Sequence, residues 1–203
     1  MGKVKAVTFF GYAGAYQDDP TWQDAYSIAQ KIAEKGYEVV NGGGPGIMLA
    51  ATEGAESIPN GDTTAVYYRP ESSTMFEGAA PTNKADHKMY FADYVQRTMK
   101  LLELGDVYFV FNGGTGTFSE LGMAWGLARL YYGHHKPLIL VGSFWHEVMN
   151  SILKNMRIRE EEKQVFFIAD TVDDAMRIFD EVVKSIEQRS NYAATGDESR
   201  YIV

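Results

Sequence analysis

The stretch DVYFVFNGGTGTFSE, Asp106 to Glu120, runs from an unbroken apolar segment into a turn of glycines and threonines and ends on a single carboxylate. An apolar segment without alternation is the pattern of a strand covered on both faces, which places Val107–Phe111 at the centre of a sheet. Four other short β-rich runs, VKAVTFF, YEVV, TTAVYY and PLILV, are likewise followed by turn residues and then by helical spacing. Helices are predicted after Pro20, after Gly46, from about Asp86 to Leu104, from Thr117 to Leu130, after Ser143 and after Thr171. Strands and helices that alternate in this way give an α/β protein, Rossmann-like and doubly wound, with a mostly parallel sheet and helices on both faces.

Composition narrows the function classes. The 203 residues suit one domain, taken as residues 1–190, followed by a C-terminal tail, 191–203; RSNYAATGDESRYIV, at the end, loses helical periodicity. With 45% apolar and 13% aromatic residues there is material for a packed interior. A net charge of -8 argues against a nucleic-acid or anionic-membrane partner, since both need a surplus of Lys and Arg on one face, and favours a small-molecule partner. The absence of cysteine excludes thiol catalysis and thiolate metal sites. The apolar part of MGKVKAVTFFGYAG is too short for a secretory segment, and a cytoplasmic protein is expected.

In open α/β sheets ligands bind outside the carboxyl ends of the strands, where loops run into helix N-termini. Three glycine-bearing loops qualify: FGYAGAY after the first strand, NGGGPGIM after the second, and NGGTGTFSE after the central one. Glycine there lets backbone N–H groups approach an anion. NGGGPGIM fits neither the dinucleotide fingerprint nor the Walker loop, and a tight turn into a helix that starts near Pro45 explains it as well as a ligand does. In GGTGT, two threonine hydroxyls beside bare amides suit phosphate. The local pattern Thr117-x-x-Glu120 also reads as a capping box, with Thr117 as N-cap and Glu120 in the first turn.

Taken together, GGGPGIMLAATEGA, the arginine in DYVQRTMK and GGTGTFSE resemble the LOG family, long labelled lysine decarboxylases, whose characterised members are phosphoribohydrolases of cytokinin nucleoside 5′-monophosphates. The resemblance implies hydrolysis of the N-glycosidic bond of a nucleoside 5′-monophosphate, releasing base and ribose 5-phosphate. It implies Arg97 and Glu120 as catalytic residues, with Glu120 stabilising positive charge on the ribose; the expected place of Glu120 in the first turn of a helix would favour its ionised form. Gly113, Gly114, Thr115, Gly116 and Thr117 would hold the phosphate, and Gly43, Gly44, Gly46 and Gly11 would line the same cleft. A homodimer or larger homo-oligomer, packed through helices near the arginine, is also implied. Two positions depart from the family pattern: Asn112 stands for a proline and Thr98 for a lysine. Related superfamily members include molybdenum-cofactor carriers, so a non-catalytic nucleotide or molybdenum-cofactor carrier is the alternative.

Without the resemblance, Arg97 reads as an exposed helix residue paired with Asp93, four positions earlier. Tyr90 and Tyr94, in the segment DHKMYFADYVQRTM, are expected to pack rather than to stack a base. His134 and His135 lie before a strand, away from the cleft end and without a third ligand, so solvent exposure is expected and no metal is assigned. RIREEEKQ, 157–164, reads as a solvated helix face and its end. A lysine placed for a pyridoxal Schiff base is not evident, and no cofactor is assigned.

Overall fold

All six pairings of the sheet are parallel in the computed structural model, which describes residues 3–68, 80 and 82–194. The strands are β1 (Ala6–Phe10), β2 (Glu38–Asn41), β3 (Thr63–Tyr68), β4 (His87–Phe91), β5 (Val107–Val110), β6 (Leu138–Val141) and β7 (Phe166–Ala169). Their order is β4-β3-β2-β1-β5-β6-β7. The helices are α1 (Pro20–Glu34), α2 (Ile47–Glu56), α3 (Tyr94–Leu104), α4 (Thr115–Leu130), α5 (Phe144–Asn155) and α6 (Val172–Ala194), with a short 3-10 turn at Glu161–Gln164. The α/β class and the parallel sheet agree with the sequence reading, and β5 is an interior strand, next to the middle strand β1.

Alternate strand residues feed two separate cores, as the period of two requires. Val7, Phe9, Val39, Val107, Phe109 and Ile139 pack under α1, α2 and α6. Phe10, Val40, Tyr108, Val110, Leu138 and Leu140 pack under α3, α4 and α5. The chain builds outward from β1 to β4, crosses over through α3, and builds the other way from β5. Strand order therefore reverses between β1 and β5, and the crevice at their carboxyl ends is the natural ligand position in such a sheet.

Three expectations need correcting. The segment from Asp86 is not helical throughout: His87–Phe91 forms β4, paired with β3 from Thr64↔His87 to Tyr68↔Phe91. It is an edge strand in which His87, Lys88 and Tyr90 are exposed, so HKMYF lacks the apolar run of the inner strands. Second, α4 starts at Thr115 with Gly114 as N-cap and no side-chain cap, so there is no Thr117–Glu120 capping box. Glu120 lies in the second turn. Third, α6 continues through Ala194, beyond the point where helical periodicity fades; the remaining tail, 195–203, lies outside the described residues.

His135 also departs from expectation. His134 is exposed, but His135 is buried in the loop between α4 and β6, with its ring stacked on Tyr132 at 5.7 Å between centroids. Burial, then the nearby Arg189 and His134, push its pKa down from 6.5 to about 4. Below pH 6.5 the unfolded chain takes up a proton that the folded protein refuses until about pH 4. The stabilisation is full above that window and declines as pH falls through it. His135→Phe should remove this part of the slope: denaturant unfolding of wild type and variant, compared between pH 6.5 and 4, should show the wild type losing more stability.

Candidate functional site

Arg97 begins on an amphipathic helix whose N-cap is Asp93, which accepts the Gln96 N–H at 2.8 Å. Asp93 is thus used by the backbone, and Arg97 turns inward rather than pairing with it on the surface. Only 7% of Arg97 is exposed. Its planar fork is spread over three elements: Nε donates to the Val66 carbonyl on β3 at 3.0 Å, Nη2 to the Gly42 carbonyl at 3.3 Å, and Nη1 to Glu120 Oε1 at 2.6 Å. Glu120 is equally buried, at 7%. A charged pair taken out of water needs this density of hydrogen bonds to persist.

The pair forms one wall of a cavity of about 140 Å3 at the β1/β5 crevice. Gly11, Tyr12 and Ala13 from the β1 loop, Gly42 and Met48 from the β2 loop and α2, and Tyr94 complete much of the lining. Gly114, Thr115, Gly116 and Thr117 supply the remaining wall. The first intrahelical bond of α4 runs from the Phe118 N–H to the Gly114 carbonyl, so the amides of residues 115–117 have no carbonyl within the helix to bond. They present a partial positive charge at the mouth of the cavity.

The structure therefore brings Gly11, Arg97, Gly114, Thr115, Gly116, Thr117 and Glu120 to one cavity. Gly113 lines a neighbouring one. Gly43, Gly44 and Gly46 are absent from the lining described and serve the loop itself. The Gly43 N–H donates to Asn41 Oδ1, the Gly44 N–H to Met48 Sδ, and Gly46, at φ 65°, caps α2. A Cβ at Gly46 would meet the Tyr12 carbonyl oxygen at 2.2 Å, so both conformation and space require glycine there.

Sequence reasoning missed Gly42, whose carbonyl orients Arg97, and a buried polar cluster behind it. Asn41 Nδ2 donates to Thr52 Oγ1 at 2.8 Å, Thr52 Oγ1 to Asn83 Oδ1 at 3.0 Å, and Asn83 Nδ2 to the Gly44 carbonyl at 3.1 Å. Asn83 sits 39 residues from Gly44, and only tertiary structure joins them. Tyr94 packs as expected, hydrogen-bonded to Ser119 Oγ at 2.8 Å, but it also borders the cavity. Tyr90 stacks on Tyr67 at 5.0 Å from β4. Of the two departures from the family pattern, Thr98 is fully buried and outside the cavity lining, whereas Asn112 faces the neighbouring cavity.

A parallel α/β sheet whose strand order reverses at a crevice holding a helix start and a buried arginine–glutamate pair defines a protein of the Rossmann-like class. The chain belongs to the family described as possible lysine decarboxylase, the LOG family, whose profile matches residues 31–179. It is 27% identical, over 75% of its length and 82% of the relative's, to the cytokinin riboside 5′-monophosphate phosphoribohydrolase of Mycobacterium tuberculosis. In fold it resembles the molybdenum cofactor binding protein of Rippkaea orientalis, with a TM-score of 0.64, 21% identity, and coverage of 90% of this chain and 99% of the other. The molybdenum cofactor carrier protein of Chlamydomonas reinhardtii is similar at a TM-score of 0.64 and 18% identity, with the same coverage. Among the described residues no helix is long and apolar enough to cross a membrane, and no group of three or more His, Asp or Glu could hold a metal.

The buried pair makes a sharp energetic prediction. Arg97→Met should destabilise the fold by about 3–5 kcal/mol, because it leaves the Glu120 carboxylate in the interior without its guanidinium. The double variant Arg97→Met/Glu120→Gln should recover a large part of that loss. Chemical denaturation of the two single variants and the double variant checks this; strictly additive losses would contradict the coupling.

Proposed function

We propose that the protein is a nucleoside 5′-monophosphate phosphoribohydrolase, a reading carried by the Arg97–Glu120 pair facing the free amides of α4 across one cavity. The phosphate of the substrate sits on the amides of residues 115–117, with the Thr117 hydroxyl beside them. This anchors the ribose over Glu120. Cleavage breaks the C1′–N bond, whose electron pair leaves with the base. Water bonds to C1′ through its oxygen, and the proton it releases balances the one the base gains.

Positive charge builds on the sugar ring as the bond breaks, and an ionised carboxylate beside it lowers that barrier electrostatically. Glu120 is the only carboxylate among the described lining residues, so the paired acid and base of most glycosidases are not assembled from them. Arg97 acts through Glu120: it fixes the carboxylate's position and keeps it charged. Tyr12, Tyr94 and Met48 offer an adaptable apolar wall to the base.

The family membership and the mycobacterial relative support hydrolysis. The second reading, a non-catalytic nucleotide or molybdenum-cofactor carrier, is favoured by the fold likeness to the cofactor binding and carrier proteins and by Asn112 in place of the family proline. We also propose a cytoplasmic protein that assembles as a homodimer or larger homo-oligomer. Exposed Val95 and Met99 on α3 and Phe118 on α4 would contribute to such a contact.

An assay for free base and ribose 5-phosphate over a panel including AMP and cytokinin riboside monophosphates separates the two readings. Wild type should turn over at least one member, and Glu120→Gln, which keeps the shape but removes the charge, should lower kcat roughly 100- to 1000-fold. Tight binding with no product from any nucleotide would favour the carrier.

A further inference from the structure

Beside the Arg97–Glu120 cavity lies a second, larger one of about 300 Å3. Tyr12 and Gly114 border both. Asp19, Thr21, Asn112 and Gly113 give the second chamber its polar character. The backbone of Tyr12 is held on two sides, its N–H donating to the Asn112 carbonyl at 2.9 Å and its carbonyl accepting from the Ile47 N–H at 3.0 Å. Its side chain, 55% exposed, lies against Gly14, where a Cβ would come within 2.6 Å of the ring. The β1 loop is thus a fixed rim with a chamber on either side.

Position and charge together indicate what the second chamber receives. Gly114, the N-cap of α4, borders both cavities, so a phosphoryl group on the amides of residues 115–117 in the first cavity would lie next to the boundary with the second. A further phosphate would meet the Asp19 carboxylate, which also caps α1 by accepting the Thr21 N–H at 2.8 Å. A neutral hydroxylated group would instead meet an amide, a hydroxyl and a carboxylate acceptor. The volume is at the lower end of the range for small-ligand sites and suits a group the size of a sugar or glycerol.

We propose that the second chamber binds a neutral, hydroxyl-bearing alcohol esterified to the ligand's phosphate, so that nucleoside 5′-phosphodiesters are ligands as well as monoesters. This deepens the phosphoribohydrolase reading and rests on its placement of the phosphate. The diester carries one negative charge near the phosphate where a monoester carries up to two, which suits a site bordered by Asp19. Asn112 is the specific determinant: a proline there would keep the carbonyl that holds Tyr12 but remove the amide from the chamber.

Calorimetric titration with AMP, the glycerol 5′-phosphodiester of adenosine, and ADP tests the proposal on the wild-type protein. The diester should bind at least as tightly as AMP, and ADP more weakly than the diester. Asn112→Ala and Thr21→Val should each weaken the diester roughly fivefold or more relative to AMP, the scale of one lost hydrogen bond. A diester weaker than AMP, ADP as tight as the diester, or variants that weaken both ligands equally, would overturn it. Should either variant fail to fold, as read by circular dichroism, the wild-type ranking of the three ligands decides alone. Failure of wild type to bind AMP at all would overturn the nucleotide reading itself, and this proposal with it; AMP binding without the diester would overturn only the second chamber's assignment.

Discussion

The Arg97–Glu120 pair constrains much of the surrounding structure. Two charges withdrawn from water destabilise a fold unless each remaining donor finds an acceptor, and here the guanidinium takes carbonyls from β3 and from the β2 loop as well as the carboxylate. That demand explains Gly42: a Cβ there would lie 1.8 Å from Arg97 Nη2. Part of the glycine run that resembles a phosphate loop exists to admit an arginine. The buried Asn41–Thr52–Asn83 cluster then holds the same loop from behind.

Much of the fold was legible because β1, β2, β3, β5 and β6 are apolar enough to announce themselves between helical segments. The strands that escaped, β4 and β7, are the two edges of the sheet. An edge strand has a neighbour on one side only, and exposed positions such as His87, Lys88 and Tyr90 hide the pattern. The start of α4 was misplaced for a different reason. Thr117 and Glu120 have capping-box spacing, but the backbone enters the helix earlier, through glycine, and both side chains are buried at the cavity. Spacing along the chain could indicate Arg97 and Glu120 only through family resemblance. Nothing local distinguishes an arginine that reaches across to another helix from one that pairs with Asp93 beside it. Gly42 and Asn83 were illegible altogether, since their roles depend on contacts across long separations.

The same fold accommodates cofactor-binding and carrier proteins, so the scaffold by itself does not select hydrolysis over binding. What separates these functions must lie in the crevice. A carboxylate beside a helix start would be costly in a simple phosphate receptor, because it would repel the ligand that the amides attract.

Arg97 also has a mechanical meaning. It sits on the crossover helix between the two halves of the sheet, gripping β3 and the β2 loop on one side and α4 on the other. At its far end α4 is tied down in turn, by Trp125 Nε1 donating to the Glu162 carbonyl at 2.7 Å and by the Arg129–Glu162 ion pair at 3.0 Å. Widening the crevice between these elements would separate a buried ion pair. The ring of Tyr12, exposed at the rim, turns by contrast without backbone motion, and side-chain rotations of that kind take picoseconds to nanoseconds rather than the microseconds of domain closure.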